Sequence, residues 1–198
     1  TEMWYIIDAK PGASLLAGMS RTITPKEYLQ HMANGTLLDV LTRHNTNAGD
    51  IFFLPAGRIH SIGAGNLLLE VQQPSDITYR VYDFDRRDGN GQPRELHVDM
   101  ARDAIDYTVY DHYRTPYDRT QPVSPLVSCP YFTVRLLNVE GDTHIDATCD
   151  SFLILLCTQG RAQVGDTPIR QGDTLLVPAC DRVLHLTGQA TLLTASLE

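Results

Sequence analysis

The stretch Gly49 to Arg87, GDIFFLPAGRIHSIGAGNLLLEVQQPSDITYRVYDFDRR, decides the fold. Gly49-Asp50 is a turn signal, and Ile51-Phe52-Phe53-Leu54 is an apolar run that Pro55-Ala56-Gly57 breaks. A short extended segment, residues 58–62, then carries His60. Gly63 and Gly65 turn the chain again, and residues 67–71 and 77–84 read as two more strands. β-branched and aromatic residues favour such segments, and Gly and Pro clusters bound them. Side chains of a small antiparallel barrel alternate in and out. A residue just after the Pro-Gly corner is therefore placed to aim one imidazole into a barrel mouth.

The 198 residues allow one large domain or two small ones. The apolar share, 42%, is that of an ordinary globular core. A formal net charge of -8 argues against a nucleic-acid partner, because phosphate binding needs clustered Lys and Arg. No run of about 18 apolar residues exists, so neither a membrane-spanning helix nor a membrane partner is expected. The chain opens Thr-Glu-Met-Trp-Tyr-Ile-Ile, directly on an apolar strand and without an initiator Met. That is expected of a polypeptide truncated or processed at its front, and no signal peptide is visible. Cys129, Cys149, Cys157 and Cys180 form no CxxC pair, so they are expected as free thiols of a cytoplasmic protein.

Residues 2–8 and 14–19 read as strands around the turn Lys10-Pro11-Gly12. The period then changes. Thr24-Pro25-Lys26-Glu27 is a helix start, with an N-cap Thr, Pro at the first position and Glu three residues after the cap. Tyr28, Leu29 and Met32 supply the apolar stripe, Asn34-Gly35 stops the helix, and Thr36 caps a second short one. The helical insertion thus spans about 24–43. Residues 94–106 read as a short helix or linker, and 113–130 lack periodicity. A domain boundary follows between about 99 and 109, placed at 104/105.

Beyond it, 131–139 and 152–158 read as strands, the second buried on both sides, with Gly160 as a turn and 161–164 as the return. Gly172-Asp173-Thr174-Leu175-Leu176-Val177-Pro178-Ala179 echoes Gly49-Asp50-Ile51-Phe52-Phe53-Leu54-Pro55-Ala56. An internal repeat implies two halves of one architecture. The second copy has Cys180 in place of Gly57 and Val183 in place of His60, so only the first keeps the metal-type residue; His185, two positions on and on the same strand face, is not expected as a ligand. His31, His44, His97, His112 and His144 read as ordinary helix, linker or loop residues.

Gly49-x5-Pro55-x-Gly57-x2-His60 is similar to a metal-site motif of cupins. The longer string from Pro55 to Arg86, with Ser75-Asp76-x3-Arg80, the opening TEMWYII and PRELH at 93–97, resembles the type I phosphomannose isomerases in their short bacterial form. The resemblance implies a mostly β fold of two cupin-like, jelly-roll barrels: residues 1–104 hold the metal-bearing domain's C-terminal part, and 105–198 a degenerate second one. It implies a cytoplasmic zinc enzyme of carbohydrate metabolism, on the route toward GDP-mannose, that interconverts mannose 6-phosphate and fructose 6-phosphate. One Zn2+ per chain is implied, with Glu2 and His60 as ligands and two more, from a Gln-x-His pair, expected before Thr1. Arg80 matches the family's catalytic Arg, and Glu70 a carboxylate of the pocket floor. The partner so implied is a small sugar phosphate.

The residue chemistry is compatible. Aldose–ketose isomerisation moves a proton between adjacent carbons while negative charge develops on a carbonyl oxygen. A zinc ion polarises that oxygen as a Lewis acid, an Arg pairs with oxyanion or phosphate, and a carboxylate such as Glu70 can carry the proton. In strand geometry Glu70 and Gln72 share one face, and Arg80 points away from Tyr79 and Val81. Each residue also has a plainer reading. His60 reads as a hydrogen-bonded barrel histidine, Glu2 as a solvated strand end, and Arg80 as a surface partner of Asp76 or Asp83. Glu70, inside the run Leu67–Val71, is expected to be functional or paired, since a buried carboxylate is costly alone. The alternative function is a non-catalytic cupin module that binds a sugar phosphate or a protein.

Overall fold

The computed structural model describes residues 1–147, 151–179 and 183–197. Cys149 and Cys180 lie outside the described residues, while Cys129 and Cys157 are free thiols. The chain is mostly β and divides into two units, Thr1–Tyr113 and Arg114–Glu198.

Unit 1 holds β1 (Glu2–Ala9), β2 (Ser14–Met19), α1 (Pro25–Asn34), β3 (Leu41–Asn45), β4 (Ile51–Leu54), β5 (His60–Ile62), β6 (Asn66–Gln72) and α2 (Val98–Ala104). Its strands form two antiparallel sheets, ordered β4-β1-β6 and β3-β2-β5. The alternation of strand side chains explains how they stack. Leu15 and Ala17 of β2 face Trp4, Ile6, Phe52 and Leu54 of the first sheet, and Leu16 turns the other way, toward the helices. There Leu16, Met19 and Leu41 meet Tyr28 of α1 and the 3-10 turn Leu37–Val40.

Helix α1 begins as its sequence dictates. The Thr24 side chain accepts from the Glu27 N–H at 3.2 Å, and the Glu27 carboxylate accepts from the Thr24 N–H at 2.7 Å. Gly35 closes it at φ 68°, a left-handed conformation that glycine adopts without Cβ strain. The second element is only a 3-10 turn, and Thr36 makes no side-chain cap to it.

Residues 77–84, read above as a strand, are not one. Ile77, Tyr79, Tyr82 and Phe84 are exposed and only Val81 packs on the core, so no alternating apolar face holds the segment as a strand. Phe84 and Asp85 also adopt left-handed φ of 54° and 53°, which ends any extended run. Its backbone pairs instead with residues farther on. The His97 N–H donates to the Arg80 carbonyl at 2.7 Å, and the Arg80 N–H donates to His97 Nδ1 at 3.1 Å.

Unit 1 ends at Tyr113 rather than at residue 104 because residues 105–113 still pack on it. Ile105 and Tyr107 join its core, and the Tyr113 hydroxyl donates to the Met19 carbonyl at 2.8 Å. Gly18 admits the Tyr113 ring, with which a Cβ would collide.

Unit 2 holds β7 (Val123–Cys129), β8 (Phe132–Asp146), β9 (Leu153–Val164), β10 (Thr167–Arg170), β11 (Thr174–Val177) and β12 (Val183–Ser196). They pair in the order β10-β9-β12-β8-β7, with β11 also on β9. The aperiodic stretch 113–130 therefore does contain a strand, β7, whose register shifts between Pro125 and Val127. The expected turn at Gly160 is absent, because β9 runs through it. The pairing with β12 instead shifts at Thr191/Leu192, and Thr158 is the unmatched residue, a β-bulge. Leu153 and Leu155 are buried but Ile154 and Leu156 only half so; β9 is thus not buried on both sides.

The repeat is structural as well as sequential. The Gly49 N–H donates to the Ile6 carbonyl at 2.7 Å, and the Gly172 N–H to the Cys157 carbonyl at 2.9 Å. The Asp50 carboxylate accepts from the Asn47 N–H at 2.9 Å, and that of Asp173 from the Arg170 N–H at 3.0 Å. Glu2 pairs with Leu54, and Leu153 with Val177. So β1 and β4 correspond to β9 and β11, and Leu153 stands where Glu2 does.

Phe52 is fully buried between the sheets of unit 1. Phe52→Ala is expected to cost about 3–5 kcal/mol in urea unfolding, and the exposed Leu176→Ala within about 0.5 kcal/mol of zero.

Candidate active site

Glu2 begins the central strand of its sheet, between Leu54 of β4 and Gln72 of β6. That position leaves it 8% exposed. A carboxylate removed from water must be met by donors, and here both oxygens are. Gln72 Nε2 donates to Oε2 at 3.0 Å, and His60 Nε2 lies 3.2 Å from Oε1. β5 brings His60 there through its pairing with β2, where His60 sits opposite Ala17.

The other ring nitrogen of His60, Nδ1, lies 2.7 Å from the Arg58 carbonyl. A carbonyl only accepts, so Nδ1 carries a proton and Nε2 is the atom turned to Glu2. Burial works against protonating the ring. The Glu2 carboxylate on Nε2, helped by the Arg58 carbonyl and the charge of Glu70, outweighs it and raises the pKa above the ordinary histidine value. Trp4 steadies both sides. Its ring meets His60 edge-on at 5.1 Å, and its Nε1 donates to Glu70 Oε2 at 2.9 Å.

Glu2, His60 and Gln72 open on a cleft of about 520 Å³ that Arg58, Arg80 and Arg94 also line. Arg80 reaches it from an irregular segment, so Tyr79 and Val81 line the same cleft instead of pointing away as strand alternation implied. Its Nη1 donates to the Glu95 carbonyl at 3.3 Å, and the backbone pairing with His97 fixes its position. Arg80 is thus no partner of Asp83, which takes Arg94 and Arg86. Arg94 Nε donates to Asp83 Oδ2 at 2.6 Å, its Nη2 binds Oδ1, and Arg86 Nη2 lies 2.8 Å from Oδ1. Arg58 Nη1 donates to the Phe53 carbonyl at 2.9 Å, and its guanidinium lies 4.5 Å from the Tyr110 ring centre. The lining carries four guanidinium groups (Arg58, Arg80, Arg86 and Arg94) against the carboxylates of Glu2 and Asp83, a balance that suits an anionic ligand.

Glu70 departs from expectation. It is exposed rather than buried, and it does not line the cleft. β6 is an edge strand, and Glu70 stays exposed there although it accepts from Trp4 of the neighbouring β1. Sequence reading missed Trp4, His97 and Gln72 as parts of the site. Gln72 shared the Glu70 face by strand period; the absent signal was that β6 lies beside β1.

A buried carboxylate oxygen and an imidazole nitrogen 3.2 Å apart fit a divalent metal. Two ligands on one tetrahedral Zn2+ stand about 3.3 Å apart, given metal–ligand bonds of about 2.0–2.1 Å.

In sequence, the chain is 37% identical over 183 residues to the mannose-6-phosphate isomerase of Streptococcus mutans, covering 90% of this chain and 58% of that protein. It is 32% identical over 203 residues to that of Bacillus subtilis, covering 100% and 64%. The crystal structure of the Bacillus subtilis mannose 6-phosphate isomerase superposes with a TM-score of 0.87 at 33% identity, over 99% of this chain and 64% of that one. By sequence and fold together, the chain resembles mannose-6-phosphate isomerases over most of its own length. A phosphomannose isomerase mutant from Salmonella typhimurium, 12% identical with a TM-score of 0.76 over 100% of this chain and 66% of that one, shares the fold. No protein-family model matches. The chain spans less than two thirds of the length of the relatives just named. No helix among the described residues is long and apolar enough to cross a membrane.

The Arg94 hydrogen bond, aided by the charges of Arg86 and Arg94, outweighs burial and holds the Asp83 carboxyl at about 2, below its ordinary 3.8. A depressed pKa means stability present above the ordinary value and lost as pH falls through the lowered one. Asp83→Asn is therefore expected to lower stability at pH 5 and to flatten its decline between about pH 4 and 2. Denaturant unfolding across that range, beside a carboxyl carbon titration of Asp83, checks both.

Proposed function

We propose that the protein carrying this chain is a zinc-dependent mannose-6-phosphate isomerase, acting through an enediol-type proton transfer. The observation that carries the reading is the convergence of Glu2, His60 and Arg80 on one cleft, in a chain 37% identical to a mannose-6-phosphate isomerase. Glu2 Oε1 and His60 Nε2 hold the metal, whose chemistry, when bound, is Lewis-acid polarisation of the sugar carbonyl. The Arg58 carbonyl holds His60 Nδ1–H and so keeps Nε2 aimed at the site. Gln72 keeps the second Glu2 oxygen from standing unpaired. Arg80 pairs with developing oxyanion or with phosphate, and a guanidinium stays charged at any working pH.

Glu70 takes a positioning role in this proposal, not the proton-carrying one first considered. It fixes Trp4 and places negative charge near His60. The fold proposal keeps two cupin-like barrels, the first bearing the metal within residues 1–113 and the second degenerate. The substrate is a small sugar phosphate, and a cytoplasmic setting goes with that.

One observation favours the non-catalytic reading for unit 2 alone. Leu153 and Val183 stand where Glu2 and His60 stand in unit 1, so the repeat there lacks the donor pair. Unit 2 is then a sugar-phosphate or partner module, and the chemistry belongs to unit 1.

A coupled assay on the protein, with and without chelator, tests the enzyme. Turnover of mannose 6-phosphate is expected to vanish on zinc removal and return on zinc addition. Turnover indifferent to zinc sinks the reading. His60→Ala is expected to lose both metal and rate. Arg80→Ala is expected to keep its metal and lose about 10²–10³ in kcat. Zinc content measured beside turnover separates the roles, and metal loss in the Arg80 variant contradicts them.

A further inference from the structure

We propose that Asp142, His144 and His185 form a second divalent-metal site, on the outer face of unit 2, for a Zn2+-type ion. The three come together through sheet register. His144 of β8 and His185 of β12 are directly opposite partners of an antiparallel pair. Opposite residues on one face bring their Cβ atoms within about 4.5–5.5 Å. Here the rings stack, with centres 4.6 Å apart and planes at 16°. Asp142 precedes His144 by two residues and shares its face. The intervening residues turn inward: Leu184 and Leu186 are buried, while Asp142, His144 and His185 are exposed.

The donor atoms suit one ion. His185 Nε2 lies 2.9 Å from Asp142 Oδ1, His144 Nδ1 lies 4.0 Å from it, and one donor atom of each residue falls within 4.8 Å of the others. Among the described residues this is the only group of three such side chains. Ligands on a tetrahedral Zn2+ stand about 3.3 Å apart, so small rotamer changes in exposed side chains close the triangle. Two imidazoles and a carboxylate favour zinc, copper or nickel over magnesium or calcium, which take oxygen donors. Three protein ligands leave a fourth position for water. Such an ion ties β8 to β12 beyond the buried part of their ladder, and it prefers the folded state, in which alone the donors converge.

The site shares no residue with Glu2 and His60, so the two metals are separable. Zn2+ is titrated by calorimetry into metal-free protein and into His144→Ala, His185→Ala and His60→Ala variants. Cobalt(II) absorption serves as a second probe. The expected result is one equivalent that His60→Ala keeps and that both unit 2 variants lose. Zn2+ is also expected to raise the Tm of His60→Ala protein but not that of His60→Ala/His144→Ala protein. His144→Gln repeats the test with a bulkier side chain should the Ala variant fold poorly, a point circular dichroism checks. Unit 2 variants that retain every wild-type equivalent overturn the proposal, as does a His60→Ala protein that binds none.

Discussion

A carboxylate is buried at the start of the central strand of unit 1, and much around it answers the cost of that burial. Leaving a charge away from water unpaired costs several kcal/mol. Glu2 avoids this because β6 presents Gln72 to one oxygen and β5 presents His60 to the other. The arrangement needs three strands in fixed register, two in one sheet and one in the other. The sandwich of Trp4, Ile6, Phe52 and Leu54 against Leu15 and Ala17 holds that register.

The same economy shapes the cleft. Asp83 gathers Arg86 and Arg94 and pins a long segment that has no ladder of its own. Arg80 is placed by backbone bonds to His97, not by regular strand structure. Loops on a rigid scaffold carry function in this way, since packing fixes their ends and hydrogen bonds fix the rest. Unit 2 keeps the turn chemistry of the repeat, with Gly172 and Asp173 doing as Gly49 and Asp50 do. It replaces the buried carboxylate with Leu153, which needs no partner.

Local chemistry made several elements legible. The capping box at Thr24 and Glu27, the stop at Gly35 and the Gly-Asp repeat all act within a few residues, so they read directly. The pairing of Glu2 with His60 was reached through a resemblance, since the two lie far apart in the chain. The misreadings share one cause. Residues 77–84 look like a strand, Gly160 like a turn and Glu70 like a buried charge, because strand propensity reports the fit to a half-buried pleated surface. Whether that surface exists depends on which segments meet there: a loop for Arg80, a long partner strand for Gly160, and an exposed sheet edge for Glu70.

By itself, the sequence determined a mostly β chain with one capped helix, a twice-used Gly-Asp turn and a small set of chemistry-bearing side chains. Those features rest on interactions within a turn or two. Only the tertiary structure decided that β6 lies beside β1, that Arg80 shares a cleft with Glu2, that Tyr113 closes the first unit, and that His144 faces His185. Each depends on register between distant segments, which the burial of whole faces selects and no local pattern encodes.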